Sequence, residues 1–274
     1  MVSLTAGEAW IIPLMALAGL LGLCIGSFLN VVIWRVPNGV SLVAPPSSCP
    51  TCDTPIKWYD NVPVISWALL GAKCRSCRAH ISGRYPLVEL LTGAVLLAIV
   101  WKFVSGANSL EMVVGALPFL YLGALGVALG FIDLDTHKLP NRLVLPAYPI
   151  MFGLIALATV VSGAGWATVG RAVLAAGALY AFYFVLCIVG GMGFGDVKLA
   201  GVLGMSLGWL GWDYLIVGGF LPFLIGGAFS AWLLLTRRAG RKSGIPFGPW
   251  MILGWFVALF VSEPIADWYL SFLL

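Results

Sequence analysis

Hydrophobic residues fall in long unbroken runs along this chain, and the polar residues gather between them. Residues 9–34 hold 26 consecutive uncharged positions. Further charge-free runs occupy 113–132, 143–170, 172–195, 214–236 and 243–262, and each has the roughly 20 residues that a membrane-spanning helix needs. A run at 86–104 is interrupted near its end by Lys102, whose long stem can snorkel to the interface. A shorter stretch, 199–212, holds only 14 residues and spans only if the glycine-rich residues before it also enter the bilayer. The pattern predicts an all-α polytopic membrane protein of about eight transmembrane helices, the second and sixth of them the weakest. The first run lacks a basic flank on its N-terminal side, so it reads as a retained helix and not a cleaved signal.

Composition agrees. Charged residues make up 9% of the chain, against about 25% in a soluble domain, and mean hydropathy is +1.02. With eight spans and the N-terminus outside, the inner loops hold Arg35, Lys57, Lys73, Arg75, Arg78, Arg84, Lys138, Arg142, Lys198, Arg237, Arg238, Arg241 and Lys242. Only Lys102 and Arg171 fall outside, and this 13-to-2 split predicts the orientation: both termini outside, the first loop cytoplasmic. It also accounts for the net charge of +4 as topology signals and contacts to membrane lipid, without a nucleic-acid partner.

The domain reading that follows is a first transmembrane helix at 1–35, a cytoplasmic loop domain at 36–85 and a membrane domain at 86–274. About fifty residues cannot bury a sufficient core without a staple. Four of the six cysteines lie in this loop, as Cys49-Pro-Thr-Cys52 and Cys74-Arg-Ser-Cys77, with 21 residues between the pairs. That spacing is zinc-ribbon-like, one residue beyond the usual range. Four thiolates form a closed tetrahedral site, so the expected zinc is structural. A pair of disulfides or a thiol redox couple is the competing reading, and a cytoplasmic loop argues against stable disulfides. Cys24 and Cys187 stand alone in apolar runs and read as packing residues.

Of the eleven acids, Glu8, Glu111, Asp213, Glu263 and Asp267 lie near outer span ends, and Asp53 and Asp60 belong to the loop. Glu89, Asp133, Asp135 and Asp196 remain at the inner face, where an ionisable group is a functional hypothesis by default. Glu89 is expected to pair with Arg84 or to line a polar cavity. Asp133 ends an apolar run; Asp135 points about 200° away on a helix, so the two cannot face one cavity. Asp196 closes the segment GGMGFGD at 190–196, whose glycines break a helix and suit backbone lining a cavity. No strand precedes this segment, which sets aside a dinucleotide site. Two converging carboxyl groups suit aspartyl hydrolysis, with one proton shared between them. An ion pathway or a purely structural pair is the alternative that position leaves open.

Six segments stand in order along the chain: GSFLNVVIWRVP at 26–37, the two CxxC pairs with DNVPVIS at 60–66 between them, RYPLVEL at 84–90, Asp133 after Ile132, GFGDVKL at 193–199 and IPFGP at 245–249. With these the chain resembles the type IV prepilin peptidases of bacteria along nearly its whole length. The resemblance implies that Asp133 and Asp196 are the catalytic pair, that Cys49, Cys52, Cys74 and Cys77 hold zinc, and that the protein sits in the bacterial inner membrane with its active site on the cytoplasmic side. It implies prepilin or pseudopilin precursors as substrates, cut after a glycine at the start of a hydrophobic helix. It further implies methylation of the new N-terminus with S-adenosylmethionine, although the residues mark no adenosine pocket. Asn141 departs from the family's usual Leu-Pro-Asp. Two other classes compete: a non-catalytic zinc-binding membrane assembly factor, and a membrane thiol oxidoreductase using the CxxC pairs.

Overall fold

The computed structural model describes residues 11–104, 110–236 and 245–272. Glu8, Arg237, Arg238, Arg241 and Lys242, and the predicted span ends at 9 and 243, lie outside the described residues. Among the described residues the protein is all-helical with no named strand. Its helices are α1 (Ile11–Arg35), α2 (Ile65–Leu69), α3 (Arg84–Val104), α4 (Leu110–Thr136), α5 (Asn141–Val161), α6 (Ala167–Gly190), α7 (Phe194–Leu210), α8 (Trp212–Leu235) and α9 (Gly248–Leu270). Seven of them, all but α2 and α7, are long and apolar enough to cross a membrane, and the protein is a multi-pass membrane protein.

Two predicted spans need correction. The run at 143–170 contains a turn: α5 stops at Val161, Gly163 takes a left-handed φ of +65°, and α6 begins at Ala167. Hydropathy does not register that break because Gly163, Ala164 and Trp166 are uncharged. The sixth predicted span falls in α7, which has 17 residues, or about 25 Å at 1.5 Å per residue, short of the ~30 Å hydrocarbon core. Its length need not match lipid, because residues Asp196–Gly208, apart from Lys198, are buried by protein.

The chain divides into two compact units. The first runs to residue 108 and takes in 123–128 of α4. Here α1 packs on α3 through glycines that let the backbones touch. A Cβ on Gly22 would come within 2.7 Å of Gly93 Cα, and one on Gly26 within 2.6 Å of Glu89 Cα. This is the small-xxx-small contact by which membrane helices pack closely.

The second unit comprises 109–122 and 129–274, and α7 is its centre. Gly204 and Gly208 lie on Ala175 and Ala176 of α6, leaving no room for a side chain. The Arg171 guanidinium donates to the carbonyls of Gly208 (2.7 Å) and Trp209 (2.7 Å), capping the negative end of α7. Tyr148 Oη donates to Lys198 O at 2.8 Å, and Trp255 Nε1 to Ser206 Oγ at 2.9 Å. These bonds from α5, α6 and α9 hold α7 along its length, the Tyr148 bond at the first turn that carries Asp196.

Candidate active site and cysteine cluster

Asp133 lies in the last turn of α4 and is 5% exposed; Asp135, two residues on, is exposed on the other side of the helix. The helical spacing therefore separates them as expected. Asp196 lies in the first turn of α7 and is 9% exposed. The glycines ahead of it work as predicted: α6 ends at Gly190, Gly191 turns through φ +71°, and Gly193 is the residue before α7. The Asp196 side chain reaches back to the Gly193 backbone N–H, the carboxylate half of a capping box.

Three segments converge on this pair. The Gly248 N–H, at the start of α9, donates to Asp133 Oδ2 at 3.0 Å. Leu139 fits between the two motif glycines. A Cβ on Gly195 would meet Leu139 Cβ at 3.1 Å, and one on Gly248 would meet Leu139 Cδ2 at 3.4 Å. Leu139 therefore joins the Asp133–Gly248 contact to the residue before Asp196, and the Tyr183 ring of α6 lies 6.4 Å from that of Phe247. The positive ends of two helices, α7 and α9, thus meet at two carboxyl groups, an arrangement that favours negative charge there. In the sequence Gly248 stands out only as part of IPFGP at 245–249. Its role as donor follows from a glycine before a proline at a helix start: Pro249 has no N–H, while the N–H of Gly248 is free of the helix ladder.

The Gly248 contact yields a prediction. Its Cβ would lie 2.7 Å from Asp133 Oδ2, so Gly248→Ala must displace the carboxylate or the helix start. A displacement of that size is expected to lower turnover by roughly 10²-fold. Gly153→Ala, where a Cβ meets nothing within 4 Å, is the control and is expected to be neutral or stabilising. Steady-state peptidase kinetics on the two variants compare them directly.

The position at which the chain departs from its resemblance is structurally occupied. Asn141 Oδ1 accepts from Lys198 Nζ at 2.9 Å, joining the starts of α5 and α7.

The four loop cysteines also converge, with all four sulfurs within 4.8 Å of one another. Cys49 Sγ and Cys77 Sγ are 3.8 Å apart, the separation expected of ligands about 2.3 Å from one tetrahedral ion. The two knuckles repeat one backbone pattern. In each, the first cysteine's N–H donates to the residue five positions on, Thr54 O at 3.0 Å and Ala79 O at 2.8 Å. The residue after the second cysteine, Asp53 or Arg78, turns left-handed (φ 52° and 61°) and donates back to the first cysteine's carbonyl. Matching bridges close both, Ser48 with Pro55 and Lys73 with His80. Backbone N–H groups of Thr51, then Cys52, draw the Cys49 thiol down to about 6, while Cys77, despite the Ala79 N–H, is pushed up to about 11 by burial and its three sulfur neighbours, so the four thiols lose their protons unequally. A bidentate Arg75–Asp60 ion pair ties the second knuckle to the short 3₁₀ turn Trp58–Asn61 and holds the Asp60 carboxyl below the usual range.

Of the two roles expected for Glu89, the ion pair with Arg84 is not the one it takes. It is 7% exposed, and Oε2 accepts from the Val64 N–H at 2.7 Å, with Ser27 as a second partner, in place of an ion pair with Arg84. Val64 is the centre of a strained three-residue turn: φ is +60°, ψ −48°, and Ile65 N–H bonds Pro63 O.

Comparison with known proteins places these features. Residues 20–103 match the bacterial peptidase A24 N-terminal domain, and residues 119–231 match the type IV leader peptidase family. The chain is 35% identical to the prepilin leader peptidase/N-methyltransferase of Aeromonas salmonicida (strain A449), over 100% of this chain and 99% of that one. It is 36% identical to that of Aeromonas hydrophila over 99% and 98%, and 36% identical to that of Neisseria gonorrhoeae over 88% of each. No solved structure matches it. Near full-length identity at this level, with both matched regions in order, makes the chain a member of the type IV leader peptidase family.

Proposed function

We propose that this protein is a bacterial inner-membrane aspartyl endopeptidase that removes the short leader from type IV prepilins or pseudopilins, and then methylates the new N-terminus. The observation that carries the peptidase reading is the meeting of two buried carboxyl groups, Asp133 and Asp196, at the starts of α7 and α9 inside the region that matches the leader peptidase family. Two carboxyl groups that act on one substrate bond hold one proton between them. The ionised member takes a proton from water as it attacks the scissile carbonyl, and the protonated member donates to the carbonyl oxygen. Collapse of the tetrahedral adduct releases the amine, which takes a proton from the pair. The two titrate as a unit, so neither role belongs to one residue. The orienting bonds come from the backbone: Gly248 N–H to Asp133 and Gly193 N–H to Asp196.

The positive residues of the predicted inner loops support a cytoplasmic active site, at the depth where a substrate's hydrophobic helix would enter the membrane. Four sulfurs around one point suit a structural zinc better than two independent redox couples, which counts against the oxidoreductase reading. Methyl transfer draws support from the relatives' N-methyltransferase names. When bound, S-adenosylmethionine supplies a methyl group on a sulfonium that leaves as a neutral thioether. Intact-mass analysis of a prepilin co-expressed with the protein tests both halves. The expected product lacks its leader and carries one added methyl; a full-length product overturns the peptidase, and an unmethylated product overturns the transferase.

A further inference from the structure

A cavity of about 240 Å³ opens in the second unit between α8 and the start of α9. One wall is a stripe of α8, Phe223, Gly226, Gly227 and Ser230, whose spacing puts them on one helix face. The facing wall carries Phe247 and Trp250, and no charged residue lines the space. Gly227 opens it, since a Cβ there would meet nothing within 4 Å. Ring contacts hold the walls: Phe223 lies 5.1 Å from Phe247 and 5.5 Å from the buried Tyr183, and Phe229 lies 4.6 Å from Trp250. Phe247 immediately precedes Gly248, whose N–H holds Asp133, so the cavity begins one residue from the proposed catalytic pair.

Trp250 supplies a second, independent observation. Among the described residues its Nε1 is the one buried side-chain polar atom without a hydrogen-bond partner. The indoles of Trp67, Trp209 and Trp255 each donate to an acceptor, Ile81 O, Thr159 Oγ1 and Ser206 Oγ, as an indole in a protein interior ordinarily does. The pyrrole edge that carries Nε1 lies against the glycine wall: a Cβ on Gly226 would be 3.1 Å from Trp250 Cγ and 3.2 Å from Cδ1. An unmatched donor at the wall of an uncharged, aromatic cavity fits an occupant that brings both an apolar side chain and an acceptor.

A peptide carries both, as a side chain and a backbone carbonyl. At about 240 Å³ the cavity falls below the ~300–1,000 Å³ of small-molecule and cofactor sites and has room for one side chain. We propose that it is the subsite for the first residue after the scissile bond, taking a bulky apolar side chain between Gly227 and Phe247 while Trp250 Nε1 donates to a carbonyl of the same segment. The inference rests on the peptidase half of the function proposed above and deepens it. In that reading the cut falls after a glycine, at the start of a hydrophobic helix. The glycine has no side chain to place, so the residue to be held is the one that follows. Holding it one residue from Gly248 fixes which peptide bond of the substrate meets Asp133 and Asp196.

The test is steady-state cleavage, by the full-length protein in lipid nanodiscs, of two prepilins that differ only in the first residue after the cut, leucine or alanine. The unaltered protein is expected to favour leucine at least about tenfold in kcat/KM, the size of effect that methylene groups in an apolar pocket confer. Gly227→Leu, which fills the cavity, is expected to erase that preference. Gly153→Leu, at a glycine of α5 with equally open space, is expected to keep it. Trp250→Phe keeps an aromatic ring and removes the donor, and is expected to raise KM about threefold to tenfold on both substrates with kcat little changed. Thermal unfolding shows whether Gly227→Leu is folded; if it is not, Ser230→Leu, one turn along the same wall, is read in its place. Equal cleavage of both substrates by the unaltered protein overturns the subsite whatever the variants do. A preference kept by the folded, filled variant or an unchanged KM in Trp250→Phe also overturns it, and each of these results leaves the peptidase standing. Leader release from neither substrate overturns the peptidase and the subsite with it.

Discussion

Asp196→Ala is expected to abolish leader cleavage, with a loss of at least about 10⁴-fold, while the protein remains folded in the membrane. The size follows from the role. General acid and base assistance each contribute about 10²–10⁴-fold, and a shared-proton pair loses both when either member is removed. Asp133→Ala is expected to do the same. Asp135→Ala is the internal control, because Asp135 is exposed on the far side of α4 from Asp133 and is expected to retain activity within a few-fold. The fold is expected to survive each change, since α7 is held by Arg171, Tyr148 and Trp255 and by the glycine contacts with α6, none of which involves Asp196. Thermal unfolding of the purified variants checks that point. An active Asp196→Ala with an inactive Asp135→Ala would reverse the assignment.

Removing the metal from the cysteine cluster, or replacing Cys74 with serine, is expected to unfold the loop between α1 and α3. Structural zinc sites of this kind contribute about 10–16 kcal/mol of binding free energy, and that energy is folding energy. The segment has no apolar core of its own to replace that energy, and its other ties are single hydrogen bonds and one exposed ion pair. Its elements are a four-residue turn and the five-residue α2, and Val43, Trp58 and Leu69 stand exposed at 92%, 83% and 83%. Limited proteolysis before and after chelation reads this directly: new cuts are expected between residues 48 and 81, with the long helices protected. Zinc content is expected to fall from about one per chain to near zero in Cys74→Ser. A loop equally resistant with and without metal would show that the cysteines are not its staple.

The sequence made some of this architecture legible and hid the rest for physical reasons. Long apolar runs announce helices because lipid demands them; hydropathy misses the turn at Gly163, where only backbone conformation changes, and it leaves α7 short because α7 is covered by protein and not by lipid. The burial of Asp133 against the exposure of Asp135 was legible too, because it follows from helical geometry alone. The paired CxxC spacing announced a four-sulfur cluster. Three features depend on contacts distant in sequence and could not be read: the Gly248 bond to Asp133 across 115 residues, the wedge of Leu139 between two glycines, and the Val64 amide on Glu89. Sequence patterns report which face of an element is buried; they do not report which backbone N–H waits there. The repeat shared by the two cysteine knuckles was invisible as well, since its backbone hydrogen bonds are common to unlike side chains.

The central claim is that Asp133 and Asp196 act as one catalytic unit. The most direct measurement is the rate of leader release from a purified prepilin by reconstituted protein bearing Asp133→Ala, Asp196→Ala, or both. Residues that act as a unit are non-additive, so the double variant is expected to be no slower than either single one, with all three at least about 10⁴-fold below the unaltered protein. Leader release by either single variant at a rate near that of the unaltered protein would contradict the account.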